Sequence, residues 1–136
     1  MPPKKIALQD YITTGLKTGI LRRSEAPNAC FFFFIDKKDG KLWPVQDYRP
    51  LNDITVKNAA PIPLIPELVD KLLGARFFTK LDVRWEYNNI RIREGDEHKT
   101  AFKTPLGLFE SLVMTFGLCN APATFQTFMD TELLSI

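Results

Sequence analysis

The sequence predicts an α+β fold in which short strands of mixed direction pack with a few helices. Apolar residues at three- and four-residue spacings indicate helices near both ends of the chain. Short apolar runs bounded by turn residues indicate strands between those helices. The elements do not alternate regularly as strand, helix and strand, so a doubly wound parallel sheet is not predicted.

The composition fits one domain of 136 residues, with 45% apolar and 25% charged side chains and a net charge of +2. This balance argues against a disordered chain and against a polycationic tail. Two distant cysteines and a single histidine argue against a zinc site. The longest apolar run, Ala29–Ile35, is too short to span a bilayer. We therefore expect an intracellular protein, cytoplasmic or nuclear, without membrane contact.

The first half of the chain predicts one helix and one hairpin. Residues 6–18 carry the spacing of an amphipathic helix. Asn28–Ile35 predicts a strand, and its four consecutive phenylalanines, Phe31–Phe34, indicate burial on both faces. Lys37–Gly40 ends in Asp-Gly, a hairpin turn signal, and Leu42–Asp47 supplies the partner strand.

The second half begins with a rigid connector, because residues 58–66 contain three prolines. A short helix is predicted over Glu67–Leu73 and is followed by a strand, Phe77–Asp82, that carries a carboxylate at its end. The remaining expected elements are an alternating apolar and basic segment at Ile90–Arg93, strands at Thr100–Thr104 and Phe109–Val113, and a helix at Pro122–Leu134.

Asp82 is the carboxylate most suggestive of chemistry. A carboxylate at the end of an apolar strand is suited to a hard divalent cation such as Mg²⁺, which prefers oxygen ligands. On this pattern alone, a turn or helix-capping role is the more common use of such a residue. The local sequence therefore leaves both interpretations open.

Four sequence blocks carry the most specific pattern in the chain: Lys37–Gly40, Asp47–Asn52, Phe78–Asp82 and Phe116–Gln126. In their order and spacing they resemble the reverse transcriptase of gypsy-type LTR retrotransposons, an RNA-directed DNA polymerase. The similarity runs from about residue 8 to residue 129.

The resemblance implies the fingers and a partial palm of a right-hand polymerase. Residues 1–60 would form the fingers with the N-terminal helix and the hairpin. Residues 61–136 would form the partial palm with a returning fingers segment. In that family a Tyr-x-Asp-Asp hairpin follows, and the chain is expected to be truncated before it. No Asp-Asp pair occurs in the 136 residues.

The resemblance also assigns a metal site. The family's match to Asp82 is catalytic and binds both magnesium ions, and the backbone carbonyl of the match to Val83 helps to hold one of them. Phosphoryl transfer by two metals needs several converging carboxylates. Asp82 would supply one, so the Mg²⁺ site is expected to be incomplete in this chain.

Four residues match the family's deoxynucleotide pocket. The match to Tyr87 lies under the sugar and excludes a 2′-hydroxyl, while Phe116 and Gly117 match positions that line the pocket. Lys37 matches a fingers lysine that reaches the triphosphate. Plain core packing remains an alternative for Tyr87, and an ordinary surface position remains one for Lys37.

Three arginines are candidates for contact with the RNA/DNA template-primer. Arg49 lies in the second block, and Arg91 and Arg93 alternate on one predicted strand face. Arginines of this kind contact phosphates in nucleic-acid complexes. A solvated surface is an equally good explanation for Arg91 and Arg93.

Three positions depart from the family pattern. Trp43 replaces an arginine that usually clamps the triphosphate, and an uncharged ring cannot make that bidentate contact. Glu86 places a negative charge where a small residue is usual, and His98 replaces a usual tryptophan. We expect the first two changes to weaken nucleotide binding.

Three hypotheses follow for function. The first is a reverse transcriptase fragment of a retrotransposon Pol polyprotein, inactive in isolation, whose family acts on template-primer and deoxynucleotides. The second is a non-catalytic relic that binds nucleic acid or protein, and the third is a pseudogene product without a selected role. An unpaired palm sheet edge, left where the Tyr-x-Asp-Asp hairpin would pair, also predicts self-association.

Overall fold

The computed structural model describes residues 3–61 and 63–133 and confirms the α+β class. A five-stranded mixed sheet has the strand order β1-β5-β4-β2-β3. The helices are α1 Pro3–Thr18, α2 Arg49–Ile54, α3 Ile65–Leu72 and α4 Ala121–Leu133, and the strands are β1 Leu21–Arg23, β2 Cys30–Asp36, β3 Leu42–Gln46, β4 Phe102–Thr104 and β5 Gly107–Ser111. Short 3-10 turns occupy Glu86–Asn89 and Glu97–Thr100.

The hairpin of β2 and β3 forms as the sequence predicts. The Lys37 N–H donates to the Lys41 carbonyl at 2.9 Å, and Gly40 takes the left-handed backbone that this turn requires, with φ of 76°. β2 also pairs with β4 in parallel, with Cys30 opposite Phe102, and this pairing joins the hairpin to the rest of the sheet.

The core lies between α1 and one face of the sheet. Five buried apolar side chains form it: Leu8, Ile12, Leu21, Phe102 and Phe109. Tyr11 and Phe32 stack at the edge of this cluster with ring centroids 5.5 Å apart. On the opposite face of the sheet, Phe31, Phe33 and Ile35 of β2 are exposed.

That arrangement corrects the prediction for the four consecutive phenylalanines. Phe32 and Phe34 pack against the core, whereas Phe31 and Phe33 are 64% and 44% exposed on the other face. Alternate residues of a strand point to opposite faces, so a strand covered on one side buries only every second phenylalanine. The expectation of burial on both faces is therefore wrong.

The predicted strand at Phe77–Asp82 is also wrong. These residues form no regular element in the structure, and Phe77 is 94% exposed. A strand is stable when its backbone groups pair with a neighbour, and no strand in the described part of the chain pairs with this segment. At Ile90–Arg93 the alternation produces a single bridge, between Arg91 and Val113.

Two short elements, β1 and α2, are not predicted by the sequence. β1 has three residues and pairs antiparallel with β5, and α2 begins at the Arg49-Pro50 pair, where proline is compatible with a first helical turn. The predicted C-terminal helix forms as α4, although Leu134 lies outside the described residues. No helix within residues 3–61 and 63–133 is long and apolar enough to cross a membrane.

A charged cluster of two buried carboxylates and two half-exposed arginines connects β1 and β5 to the second 3-10 turn. Arg22 donates to the Glu110 carboxylate at 2.6 Å, and its guanidinium lies 3.7 Å from Glu97. Arg91 donates to Glu97 at 2.6 Å. The Glu97 backbone N–H, Arg91 and the Gly95 N–H lower the pKa of the Glu97 carboxyl to about 2. The Glu97 carboxylate is thus held ionised inside the fold.

Candidate nucleotide and nucleic-acid site

A row of aromatic rings crosses from the hairpin to the last helix. Trp43 of β3 meets Phe116 edge-on at 5.8 Å, and Phe116 meets Tyr87 at 4.8 Å. Tyr87 in turn contacts Phe125 of α4 at 5.9 Å. Edge-to-face contacts of this kind fix ring orientation. These four rings, Trp43, Phe116, Tyr87 and Phe125, are called the aromatic row below.

Lys37 lies at the hairpin end of the aromatic row. Its ammonium nitrogen is 3.8 Å from the centroid of the Trp43 ring, which is cation–π geometry. Lys37 and Trp43 are therefore neighbours on the exposed face of the hairpin. The structure thus brings Lys37, Phe116 and Tyr87, three of the residues that the resemblance placed in one pocket, into a continuous line of contacts.

Gly117 sits beside Phe116 in a loop that needs a glycine. Its φ is 97°, a left-handed conformation that other residues adopt at a cost. A Cβ there would lie at an ordinary contact distance of 3.5 Å from the buried Tyr48 ring, so the backbone conformation and not lack of space favours glycine. Gly117 therefore sets the backbone that presents Phe116 to Trp43 and Tyr87.

Asn52 of α2 holds the same loop. Its amide nitrogen donates to the Gly117 carbonyl at 2.7 Å, and its amide oxygen accepts from the Cys119 N–H at 2.9 Å. Asn120 makes a second clamp, accepting from the Asn58 N–H at 2.9 Å and donating to the Val56 carbonyl at 2.8 Å. The loop carrying Phe116 is thus fixed to the connector and to α2.

Both clamp residues, Asn52 and Asn120, lie within the sequence blocks, but the sequence alone predicts no role for them. Asn52 and Asn120 are separated by 68 positions, so only the folded chain shows that they hold one loop. The available signal was the residue type, because asparagine side chains often satisfy backbone groups in turns.

Tyr87 is half-buried in the 3-10 turn Glu86–Asn89. Burial and the neighbouring Glu86 carboxylate both raise the pKa of the Tyr87 hydroxyl, so it stays protonated at neutral pH. Trp85, just before the turn, has a left-handed backbone with φ of 54°. The Asn89 side chain donates to the carbonyls of Arg84 and Trp85 at 2.9 and 3.1 Å and holds this bend.

Asp82 and Val83 lie in an exposed segment without regular structure. Within residues 3–61 and 63–133, no three histidine, cysteine, aspartate or glutamate side chains converge on a position that could hold a metal. The described residues do not complete a Mg²⁺ site, since Asp82 is a single carboxylate where two-metal chemistry needs several.

Two of the three candidate arginines are engaged within the fold. Arg49 pairs with Asp47 through two hydrogen bonds of 2.8 and 2.6 Å, which lower the pKa of Asp47. Arg91 binds Glu97 and also donates to the Leu112 carbonyl at 2.7 Å. The Arg91 guanidinium is therefore already bound in the charged cluster around Glu97. Arg93 is exposed.

A groove of about 490 Å³ lies at the opposite end of β2 from the hairpin turn. Cys30, Phe31, Tyr48 and Ile54 line it, together with His98, which is exposed at its rim. Burial and the nearby Asp47 raise the pKa of the Cys30 thiol to about 11, so the thiol is protonated at neutral pH. The groove has no lining residue in common with the aromatic row.

The comparison with protein families decides the identity. Residues 35–136 match the family model described as reverse transcriptase (RNA-dependent DNA polymerase). The chain belongs to the reverse transcriptase family. The matched segment contains Lys37, Trp43, Asp82 and the whole aromatic row, so the reverse transcriptase pattern and the geometry concern the same residues.

Relatives extend the reverse transcriptase similarity to nearly the whole chain. The Transposon Tf2-3 and Tf2-4 polyproteins of Schizosaccharomyces pombe are each 51% identical to it over 134 residues. That match covers 98% of this chain but 10% of each polyprotein. The predicted resemblance to a retrotransposon reverse transcriptase is confirmed, and the chain corresponds to a fragment of such a polyprotein.

Solved structures show the same reverse transcriptase fold. The protease-reverse transcriptase of prototype foamy virus matches the entire chain with a TM-score of 0.84 and 24% identity, over 18% of its own length. A foamy viral protease-reverse transcriptase in complex with an RNA/DNA hybrid matches with a TM-score of 0.80, at 20% identity and over 18% of its length. The prediction of a fingers and partial palm fold is confirmed.

Proposed function

We propose that this chain supplies the fingers and the first part of the palm to an RNA-directed DNA polymerase of a retrotransposon. The observation that carries the proposal is the contact of Lys37 with the aromatic row. This line of contacts joins the hairpin to the Phe116 loop. These are the two parts of the chain expected to enclose a deoxynucleotide. The proposed division places residues 1–60 in the fingers and residues 61–136 in the palm.

The nucleotide would bind along the aromatic row. Lys37 supplies a positive charge for the triphosphate, and Phe116 and Tyr87 supply apolar surface for the sugar and base. Gly117 keeps the backbone of the Phe116 loop free of a side chain. Each role rests on the placement of these residues together with their match to the family pattern.

Asp82 would contribute one carboxylate to a Mg²⁺ site, with the Val83 carbonyl beside it. The magnesium ions would neutralise phosphate charge and activate the attacking hydroxyl. Further carboxylates are required, and the 136 residues contain no Asp-Asp pair. We therefore propose that the 136-residue chain alone does not polymerise DNA.

A template-primer is the proposed nucleic-acid partner. Arg93 is exposed and suited to a phosphate, whereas Arg49 and Arg91 would have to share or exchange their carboxylate partners. The foamy viral relative was solved with an RNA/DNA hybrid, and we extend that class of ligand to this chain. Intracellular localisation, in the cytoplasm or nucleus, belongs to the same proposal.

Binding to an RNA–DNA hybrid, measured by fluorescence anisotropy at several salt concentrations, tests this function. We expect affinity to fall with salt, and Arg93→Gln to reduce the slope of log K against log salt by about 1. Lys17→Gln is the matched control, because Lys17 is also an exposed cation but lies at the end of α1, outside the blocks that resemble the family. Absence of hybrid binding at low salt would contradict the proposal.

Primer extension on an RNA template with Mg²⁺ tests the proposed inactivity. We expect the 136-residue chain to extend the primer no more than its Asp82→Ala variant does. Extension that Asp82→Ala abolishes would show that a complete catalytic site forms from these residues.

A second candidate function is nucleic-acid binding without nucleotide binding. Trp43 favours it, because an uncharged ring stands where the family usually has a triphosphate-binding arginine. Glu86 adds negative charge next to Tyr87. Hybrid binding that persists while deoxynucleotide binding is absent would select this candidate.

We also propose that self-association of the chain uses a sheet edge. The outermost strands are β1 and β3. Pro44 in β3 lacks an N–H donor, and proline on an edge strand disfavours further pairing. β1 is thus the proposed edge, and sedimentation velocity at rising concentration tests it. Arg23→Pro is the variant, because the neighbouring Ser24 N–H donates to the Leu108 carbonyl of β5 and the Arg23 N–H therefore points away from the sheet.

A further inference from the structure

The position of Lys37 follows from the register of the hairpin. Ile35 lies opposite Trp43, and side chains two residues apart on a strand share a face. Lys37 therefore emerges on the same face as Trp43, one step closer to the turn. Its side chain folds back so that the ammonium nitrogen lies 3.8 Å from the ring centroid.

The hairpin carboxylates engage other lysines. Asp36 pairs with Lys4 at 3.4 Å and Asp39 pairs with Lys41 at 3.9 Å. Lys37 instead contacts an aromatic face, which attracts a cation through its quadrupole but carries no net charge. The contact therefore holds the ammonium in place while leaving its positive charge available to an anion.

Trp43 is itself held in a fixed orientation. Its ring meets Phe116 edge-on at 5.8 Å, and Phe116 is packed against Tyr87. A free lysine has four flexible bonds and loses considerable rotamer entropy when it binds. A lysine held against a fixed ring loses less of this entropy, since its position is partly set beforehand.

We propose that Trp43 is a positioning residue that holds the Lys37 ammonium at the end of the aromatic row for the triphosphate of a deoxynucleotide. This inference rests on the proposed nucleotide site. It revises the expectation that Trp43 only weakens binding: the ring cannot bind phosphate, but it orders the neighbouring cation that can. One positioned lysine would then serve where the family pattern has a lysine and an arginine.

The contact itself is tested by NMR on the free chain. The ε-methylene protons of Lys37 should show an upfield ring-current shift that disappears in Trp43→Ala and remains in Trp43→Phe. Lys41, which pairs with Asp39, provides the unshifted reference in the same spectrum. An unshifted Lys37 signal would overturn the inference before any ligand is added.

Its consequence is tested by isothermal titration calorimetry with dATP and with dAMP in the presence of Mg²⁺. We expect Trp43→Ala to weaken dATP binding by about 2- to 5-fold, the size of an exposed cation–π contact, and to change dAMP binding less. Trp43→Phe should retain most of the dATP affinity, because a ring remains. Lys37→Met should weaken dATP binding by about 10-fold.

The double variant separates positioning from a structural role. If Trp43 acts through Lys37, then adding Trp43→Ala to Lys37→Met produces no further loss of dATP affinity. Equal losses in the presence and absence of Lys37 would overturn the inference while leaving the nucleotide site intact. Failure of the unaltered chain to bind dATP would instead overturn the nucleotide site and, with it, this role of Trp43.

Discussion

The unit formed by α1 and the sheet differs sharply from the segment 64–83, although both are rich in apolar residues. In the first, Phe102 and Phe109 are buried to 1% exposure or less. In the second, Leu73, Phe77 and Leu81 are 75% or more exposed. Apolar sequence therefore produces a packed element only where a second surface covers it.

The difference matters for function because the two regions carry different parts of the site. The hairpin and its neighbours already present Lys37 and the aromatic row in contact. Asp82 lies in the uncovered segment, outside any strand. The surface proposed to face the nucleotide is thus organised by packing within the described residues, whereas the Asp82 carboxylate is not.

The largest expected effect comes from removing a buried side chain from the core between α1 and the sheet. Phe102→Ala removes a fully buried ring and should lower the free energy of unfolding by about 3–5 kcal/mol, measured by urea denaturation. Phe77→Ala is the matched control in the exposed segment, and we expect it to stay within about 0.5 kcal/mol of the unaltered chain. Similar losses for both variants would mean that segment 64–83 is packed in solution.

A smaller effect is expected where α1 meets the sheet. A side chain at Gly15 would lie 2.4 Å from Cδ1 of Leu21, which is buried. Gly15→Ala should therefore destabilise the fold by about 1–3 kcal/mol despite the better helix propensity of alanine. Thr14→Ala, at an exposed position of α1, is the control. A stabilised Gly15→Ala variant would show that α1 is displaced from the sheet.

The smallest expected effect is the loss of stability at acid pH. It is small because the arginine partners of Glu97 are half exposed, so solvent weakens their ion pairs with its carboxylate. The pKa of Glu97 is about 2 in the folded chain against an ordinary 4.5, so the unfolded state binds the proton first. Stability is therefore present above pH 4.5 and is lost as the pH falls from about 4.5 toward 2.

Urea midpoints between pH 7 and pH 2.5 measure this loss. Glu97→Gln should start less stable, because Arg91 loses its ion-pair partner, and should lose less stability on acidification. Parallel pH profiles for the two proteins would exclude Glu97 as a source of the acid sensitivity.

Local signals predicted the local elements well. The α1 spacing, the Asp39-Gly40 turn and the strands around it all form close to where the sequence places them. Their determinants lie within a few residues of one another, so local propensity and turn chemistry suffice. The same signals failed at Phe77–Asp82, where a strand pattern has no neighbour with which to pair.

For the proposed site, the sequence likewise predicted candidate residues but not the contacts between them. The resemblance made Lys37, Tyr87, Phe116 and Gly117 candidates for the nucleotide pocket, but it could not show that Trp43 connects Lys37 to Phe116. Nor could it show that the Arg91 guanidinium is held by Glu97. Such contacts depend on the register of the sheet and on loops closed from distant positions.

The sequence by itself determined the family, the hairpin and the helices near both ends, because these depend on residue type and short spacing. The tertiary structure decided which face of β2 is buried, which cation meets the aromatic row, and which clamps hold the Phe116 loop. Each of those outcomes depends on what covers or faces a residue, and only the packed chain sets that.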